Sequence, residues 1–146
     1  MSDRVHPQRP IVGIGAVVVA ADGRVVLVRR RNEPLRGRWS LPGGALEVGE
    51  RLEQGVEREV FEETNLVVDV GPILDVFDHV EMDDDGRVKY HYVLIDYRCD
   101  VRSGWLTAGT DVDAVALADP SALADYALTE RAVAVIGRAC ASRRPS

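Results

Sequence analysis

The chain has 146 residues, 46% of them hydrophobic and 29% charged, and a formal net charge of -6. A chain of this length folds as one domain of ordinary size with a substantial core. The acidic balance argues against binding of bare nucleic acid, which depends on neutralising phosphates. If the protein handles a polyanion, a bound divalent metal ion is the obvious way to reverse the local charge.

The cysteine content and the apolar segments indicate the cellular compartment in which we expect the protein. Cys99 and Cys140 are too few for a disulfide framework, and they form no zinc-ligand spacing. The N-terminal segment lacks the apolar core of a signal peptide, and no apolar run approaches the roughly 20 residues that a membrane span requires. We therefore expect a soluble, cytoplasmic protein with no membrane partner.

The first part of the chain predicts an arm followed by a hairpin. Residues 1–9 are mostly polar and are expected to form a flexible N-terminal arm, and residues 10–146 a single domain. Ile11–Ala20 is rich in valine and isoleucine, and with Arg24–Arg30 it predicts two strands joined by a turn. Residues 32–38 have the composition of a loop, and Trp39–Leu41 predicts a short extended segment.

The pattern becomes helical from Glu50. Leu52, Val56 and Val60 recur at i, i+4 and i+8, which predicts one apolar stripe along a helix. The helix is expected to end near Asn65, because asparagine tolerates the left-handed conformation that closes helices.

The rest of the chain predicts three strands and a second helix. The strand segments are Leu66–Val80, interrupted at residues 71–72, then Lys89–Cys99 and Ala114–Leu117, with a turn over 82–86. Thr129 is a plausible N-cap for a C-terminal helix. The simplest summary is one α/β domain with a mixed sheet.

Three glutamates on the first helix carry the chemistry. Glu59, Glu62 and Glu63 stand at i, i+3 and i+4, so their side chains share one face. At about 100° per residue, Glu59 and Glu63 project within roughly 40° of the apolar stripe, while Glu62 lies about 80° beyond its edge. Two carboxylates are therefore aimed toward the protein body and need a compensating cation. Oxygen ligands of this kind select Mg²⁺ or Mn²⁺.

The segment around these glutamates resembles the Nudix box, G-x5-E-x7-R-E-U-x-E-E-x-G-U, in which U is aliphatic. The chain has Gly44, then Glu50, then Arg58–Leu66, which reads REVFEETNL, at the required spacing. One specified position differs, because Asn65 replaces the final glycine. Asparagine is the next most tolerant residue of the left-handed region, so the difference affects a helix cap and leaves the metal ligands unchanged.

The resemblance covers nearly the whole chain and implies an α/β/α sandwich around a mixed sheet. It implies that Glu59, Glu62 and Glu63 are metal ligands, together with a backbone carbonyl at Gly44. Glycine at position 43 and at position 44 lets the backbone approach the metal and the substrate closely. The ions implied are Mg²⁺, with Mn²⁺ as a substitute. Arg58 and Glu50 match the pair that orients the family's catalytic groups, whereas the alternative for them is a surface ion pair.

The implied reaction is attack of water on a phosphorus of a diphosphate, with a carboxylate removing the proton. Four carboxylates are open candidates for this base: Glu62, Glu59, Asp111 and Asp113. The acidic run over residues 83–85 is instead interpreted as a solvated turn.

Several residues near the proposed site are candidates for substrate binding. Arg29, Arg30 and Arg31 end a predicted strand next to the proposed site. One of them could contact a substrate phosphate, because arginine suits phosphate oxygens. Trp39 could stack on a base, as could the aromatic residues at 77, 90 and 92, although core packing is favoured for all four. The histidines at 79 and 91 are interpreted as structural.

The expected substrate is a small-molecule nucleoside diphosphate derivative. Residues 36–44 and 90–97 look most like the ADP-ribose pyrophosphatase group, which favours ADP-ribose or a similar ADP-sugar. The alternative reaction is hydrolysis of nucleoside triphosphates that clears altered nucleotides. A different class of function is a nucleotide-sensing module that has lost catalysis, and retention of every box carboxylate argues against it. Many relatives form homodimers, and the sequence leaves that state open.

Overall fold

Seven strands and two α-helices form from residues 4–32 and 35–141, which are the residues described by the structure, a computed structural model. The helices are α1 (Leu52–Thr64) and α2 (Glu130–Ala141), and a short 3₁₀ helix spans Ala124–Tyr126. The strands are β1 (Ile11–Val19), β2 (Val25–Arg30), β3 (Trp39–Ser40), β4 (Gly43–Ala45), β5 (Val67–Met82), β6 (Val88–Ser103) and β7 (Val112–Ala118). In the described part of the chain, neither helix is long and apolar enough to cross a bilayer.

The strands form one mixed sheet that opens at its centre. Its main order is β3-β2-β1-β6-β5, with β4 paired to β1 and β7 paired to β2. β1 and β6 are parallel, and the other pairs are antiparallel. β1 and β2 meet at Val19 and Val25 and then separate, so β4 takes the edge of β1 opposite residues 13–15. This fork places the glycine-rich β4 in the middle of the molecule.

Alternation along β1 divides the core between the two faces of the sheet. Ile14 and Ala16 pack with Val56 of α1, whereas Val17 packs with Val135 of α2. Each helix therefore covers one face, and the predicted α/β/α sandwich around a mixed sheet is confirmed.

The predicted helix ends are confirmed. Asn65 adopts a left-handed conformation, with φ 65 and ψ 15, and its N–H donates to the carbonyl of Phe61. The hydroxyl of Thr129 accepts a hydrogen bond from the N–H of Ala132 over 3.2 Å, as an N-cap does.

The structure differs from the strand predictions in four strands. β5 runs through residues 71–72 without a break, because a register shift against β6 between Val70 and Ile73 absorbs the glycine and proline. β6 and β7 extend beyond their predicted ends. β4 was not predicted, because its two glycines have low strand propensity and only pairing with β1 holds them extended.

The N-terminal arm falls partly outside the described residues, which begin at residue 4. Within the rest of it, the backbone N–H of His6 donates to the carbonyl of Lys89, and its ring is hydrogen-bonded to Asp83 over 2.6 Å. Glu33 and Pro34 of the predicted loop also lie outside the described residues.

Candidate active site

The guanidinium of Arg58 holds the acidic residues of the site together. Its Nε and Nη2 donate to both carboxylate oxygens of Glu50, over 2.6 and 2.9 Å. Its Nη2 also donates to the carbonyl of Ala45, and its Nη1 donates to Glu59 over 2.8 Å and to Glu62 over 3.3 Å. The hydrogen bonds from Arg58 to Glu50 are the largest cause that lowers the pKa of Glu50, and a hydrogen bond from the backbone N–H of Glu47 lowers it further. Arg58 thus links the loop before α1 to two of the glutamates on the helix.

Glu63 is the most buried acid of the cluster. It is 4% exposed, and its Oε1 accepts a hydrogen bond from the backbone N–H of Gly43 over 2.8 Å. Burial raises the pKa of Glu63 to about 7, and the charges of Glu59 and Asp111 raise it further, while the Gly43 hydrogen bond and the charge of Arg30 oppose the rise. A carboxylate in this position has lost most of its contact with water. A bound cation could supply the stabilisation of the negative charge that water no longer gives.

Glu59 lies against the backbone of Gly44. A Cβ added at Gly44 would come within 2.6 Å of the Glu59 carboxyl carbon, so a larger residue cannot stand there without moving that side chain. Burial also raises the pKa of Glu59, against the opposing effect of its bond with Arg58. Glycine at position 44 is therefore required by the close approach of a carboxylate to β4.

Glu62 stands at the open edge of the cluster. Its side chain is 47% exposed, compared with 14% for Glu59. The order of burial is the one predicted from the helical angles, with two carboxylates directed inward and the third at the boundary.

The donor set fits a hard divalent cation, because two desolvated carboxylates share a site with backbone oxygens. Among residues 4–32 and 35–141, no three histidine, cysteine or acidic side chains lie in positions that could hold a metal ion together. Nη1 of Arg58 donates hydrogen bonds to both Glu59 and Glu62. A cation at this point would compete with the guanidinium for those oxygens.

The loop between β6 and β7 closes over the end of α1. The N–H of Gly109 donates to the carbonyl of Glu63, and a Cβ at Gly109 would lie 1.8 Å from the carbonyl oxygen of Glu62. This packing brings Asp111 close enough for its charge to raise the pKa of Glu59 and Glu63.

The two candidate acids after this loop are placed differently. Whereas Asp111 adjoins the cluster, Asp113 forms an ion pair with Arg31 over 3.0 Å. The same arginine donates to the carbonyl of Thr110 over 2.7 Å. Asp113 is therefore engaged in holding the loop to the end of β2.

The three consecutive arginines diverge. Arg31 holds the loop, and the guanidinium of Arg29 stacks over Trp39 with 5.8 Å to the ring centroid. Arg30 faces a cavity next to β4, and its charge reaches Glu63. Of the three, Arg30 is the one placed to contact a substrate that also reaches the glutamates.

This cavity has a volume of about 390 Å³ and lies between β4 and the start of α2. Trp39, Phe77 and Tyr92 line it, whereas Tyr90 is buried. The expectation of core packing is confirmed for Tyr90, and Trp39 also packs against the core on the α2 face, but Phe77 is an exposed side chain. His79, interpreted from the sequence as structural, also lines the cavity. Gly43, Gly44 and Ala45 form one wall, so β4 separates the cavity from the glutamates.

An ion pair in the cavity was missed from the sequence. Asp96 and Arg131 form an ion pair there, with 2.6 Å between the Asp96 carboxylate and Nη2 of Arg131. A lone acid inside the apolar strand segment of residues 90–97 was the available signal. Arg131 offered none, since arginine at the start of a helix is common on protein surfaces.

Comparison with known proteins shows to which family the chain is related. The family model described as the NUDIX domain matches residues 9–136. The chain belongs to the Nudix hydrolase family.

Individual Nudix proteins resemble the chain over most of its length. An ADP-ribose pyrophosphatase from Methanocaldococcus jannaschii is 36% identical over 107 residues, which are 73% of this chain and 59% of that protein. The chain thus spans about three fifths of that relative's length. A MutT NUDIX hydrolase from Burkholderia pseudomallei superposes with a TM-score of 0.76, at 29% identity, over 90% of this chain and 98% of the other. The NUDIX domain of Shewanella oneidensis NrtR, solved in complex with ADP ribose, shares the fold with a TM-score of 0.71 at 24% identity, over 90% of this chain and 87% of that one.

Proposed function

We propose that this protein hydrolyses the diphosphate of a nucleoside diphosphate linked to another moiety, and that ADP-ribose or a similar ADP-sugar is its substrate. The observation that carries the proposal is the position of β4. One side of β4 contacts the buried carboxylates Glu59 and Glu63, and the same strand walls the 390 Å³ cavity. A diphosphate at the glutamates would leave its nucleoside within reach of the cavity. The likeness to an ADP-ribose pyrophosphatase favours ADP-ribose.

The residues proposed to hold divalent metal are Glu59, Glu62, Glu63 and the carbonyl of Gly44. Mg²⁺ is the proposed ion, with Mn²⁺ as a substitute, because all four groups supply hard oxygen donors. When bound, such ions neutralise a diphosphate and lower the pKa of an attacking water.

Arg58 is proposed as a positioning residue. Glu50 and the carbonyl of Ala45 fix its guanidinium on one side, which leaves Nη1 directed at Glu59 and Glu62. The planar fork of arginine can hold several oxygens in one fixed geometry, whereas a lysine cannot. Arg58 thereby sets the orientation of the carboxylates before substrate arrives.

Glu62 is the proposed general base. Its partial exposure at the edge of the cluster lets it take a proton from water and pass it to solvent, which the buried Glu63 cannot do as readily. Asp111 is the second candidate, because it adjoins the cluster from the facing loop. Asp113 is a weaker one, since Arg31 already engages its carboxylate.

The test is a product assay with Mg²⁺ over ADP-ribose, ADP-glucose, NADH, diadenosine polyphosphates and nucleoside triphosphates. The proposal expects ADP-ribose and one water to give AMP and ribose 5-phosphate, and ¹⁸O-labelled water would show which phosphorus is attacked. Faster release of pyrophosphate from triphosphates would instead identify an enzyme that clears nucleotides. Binding of ADP-ribose without hydrolysis of any compound would identify a nucleotide sensor and overturn the proposal.

A further inference from the structure

Asp96 is a buried acid that the proposed chemistry does not use. It lies on β6 opposite Gly15 of β1, and its side chain is 6% exposed. It also lines the cavity beside β4. Burying a carboxylate is costly unless it is paired, so a carboxylate at a cavity wall calls for an explanation.

Arg131 pairs with one of the two carboxylate oxygens of Asp96. Its Nη2 lies 2.6 Å from Oδ2 of Asp96, and its guanidinium stacks over Phe77 with 4.3 Å to the ring centroid. On its other side, its Nε lies 3.4 Å from the carboxylate of Asp75 on β5. Arg131 is therefore fixed by three contacts and holds Asp96 through one of its two oxygens.

The second oxygen of Asp96 lies over β1. A Cβ on Gly15 would be 2.4 Å from Oδ1, and a Cβ on Gly13 would be 2.6 Å from the side chain of Leu94. The two glycines thus let Asp96 and Leu94 lie flat against β1. Arg131 engages Oδ2, so Oδ1 is the oxygen of Asp96 that a ligand in the cavity could reach as an acceptor.

The rest of the cavity determines which part of a ligand could meet this acceptor. Trp39, Phe77 and Tyr92 are flat walls that suit a heteroaromatic ring. Arg30 next to β4 is the better partner for a phosphate, because the charge of Arg131 is already balanced by the carboxylates of Asp96 and Asp75. The ring end of a nucleotide, and not its phosphates, matches the part of the cavity around Asp96.

We propose that Asp96 is a specificity residue, which accepts a hydrogen bond from the exocyclic amine of an adenine ring seated among Trp39, Phe77 and Tyr92. This inference rests on the proposed function, because it assumes that the substrate carries a nucleoside. A hydrogen bond to a charged acceptor is worth about 1.5–3 kcal/mol, which corresponds to roughly tenfold or more in affinity.

The experiment measures binding alone, without metal or hydrolysis. The chain has two tryptophans, and Trp105 is 76% exposed and does not line the cavity. Trp105→Phe therefore leaves Trp39 as the only tryptophan, which is excited selectively at wavelengths that the tyrosines do not absorb. This protein is titrated with AMP and with purine riboside 5′-monophosphate, which lacks the amine. Ribose 5-phosphate serves as the control for binding through sugar and phosphate.

The expected result is a Kd for AMP at least about tenfold lower than that for the analogue. Asp96→Asn should reduce this ratio to within about twofold. In this variant the side-chain amide oxygen at position 96 would accept the hydrogen bond from Arg131. The side-chain NH₂ would then face the exocyclic amine of the ligand, and two donors cannot form a hydrogen bond with each other. Asp75→Asn is the matched control, since it also removes a charge from Arg131 but does not line the cavity, and it should keep the full ratio.

Three results would overturn the inference. They are equal affinities for the two nucleotides, an unchanged ratio in folded Asp96→Asn protein, and no change of Trp39 fluorescence at saturating AMP. Each is distinct from failure of the proposed function, which would show as absence of hydrolysis in the product assay. An enzyme that cleaves ADP-ribose and its purine riboside analogue with equal kcat/KM would keep its function and lose this inference.

Discussion

The backbone N–H of Gly43 donates a hydrogen bond to the carboxylate of Glu63 over 2.8 Å, which joins β4 to the last turn of α1. Twenty positions separate these residues, and the bond sets the helix in register with the glycine-rich strand. Since Glu59 lies against the next glycine, the two inward carboxylates of α1 are both positioned by β4. The glutamate cluster and the wall of the cavity are thus parts of one structure.

Burial of Glu63 predicts that the metal-free protein becomes less stable as pH rises. The folded pKa of about 7 lies above the ordinary value of 4.5, so the native state binds more protons between these values than the unfolded state does. The free energy of unfolding should therefore fall between pH 4.5 and 7, by at most about 3 kcal/mol.

Glu63→Gln should reduce this slope, leaving the smaller part that the raised pKa of Glu59 contributes, and urea unfolding at several pH values with a chelator measures it. Added Mg²⁺ at pH 8 should stabilise the wild-type protein more than the variant, because the ion binds the ionised carboxylate. An identical pH slope in both proteins would show that Glu63 is not the group responsible.

Replacement of Arg58 by lysine should reduce turnover without unfolding the protein. Lysine cannot reproduce the paired bonds to Glu50 together with those to Glu59 and Glu62. We expect kcat with ADP-ribose to fall by about 10–100-fold and the Mg²⁺ concentration for half-maximal rate to rise, with little change in KM. Arg102→Lys, which alters an exposed pair with Asp69, is the control and should match the wild-type rate. An unchanged Mg²⁺ dependence in Arg58→Lys would refute the positioning role.

Alanine at position 44 should inactivate the site through one added methyl group. Its Cβ would meet both carboxylate oxygens of Glu59, at 2.6 and 2.7 Å, so the side chain must leave its position. We expect at least a tenfold loss of kcat with a native circular dichroism spectrum. Gly137→Ala is the matched control, because that helical glycine has open space around it and the change should add about 1 kcal/mol of stability. Equal activity of the two variants would contradict the close approach of Glu59 to β4.

Much of the site could be predicted because its information is local. Glu59, Glu62 and Glu63 are fixed by one helix, whose period sets both their common face and their order of burial. The cap at Asn65 is equally local, and its left-handed backbone was expected from the residue type alone.

The parts that escaped prediction depend on long-range contacts. β4 exists because β1 and β2 separate, and no property of residues 43–45 reveals that fork. Asp96 and Arg131 are 35 positions apart and meet only when α2 packs on the sheet. The aromatic side chains of Trp39, Phe77 and Tyr92 come from three different strands and meet at one cavity only in the folded sheet, which periodicity along one strand cannot show.

The central claim is that the glutamates of α1 carry out a metal-dependent hydrolysis, and kcat of Glu62→Gln and Glu63→Gln with ADP-ribose at saturating Mg²⁺ tests it most directly. The predicted result is a loss of at least about a hundredfold for each variant, with the fold intact. Glu57→Gln, an exposed neighbour on the same helix, should stay within twofold of wild type. Turnover near the wild-type rate in both site variants would contradict the account.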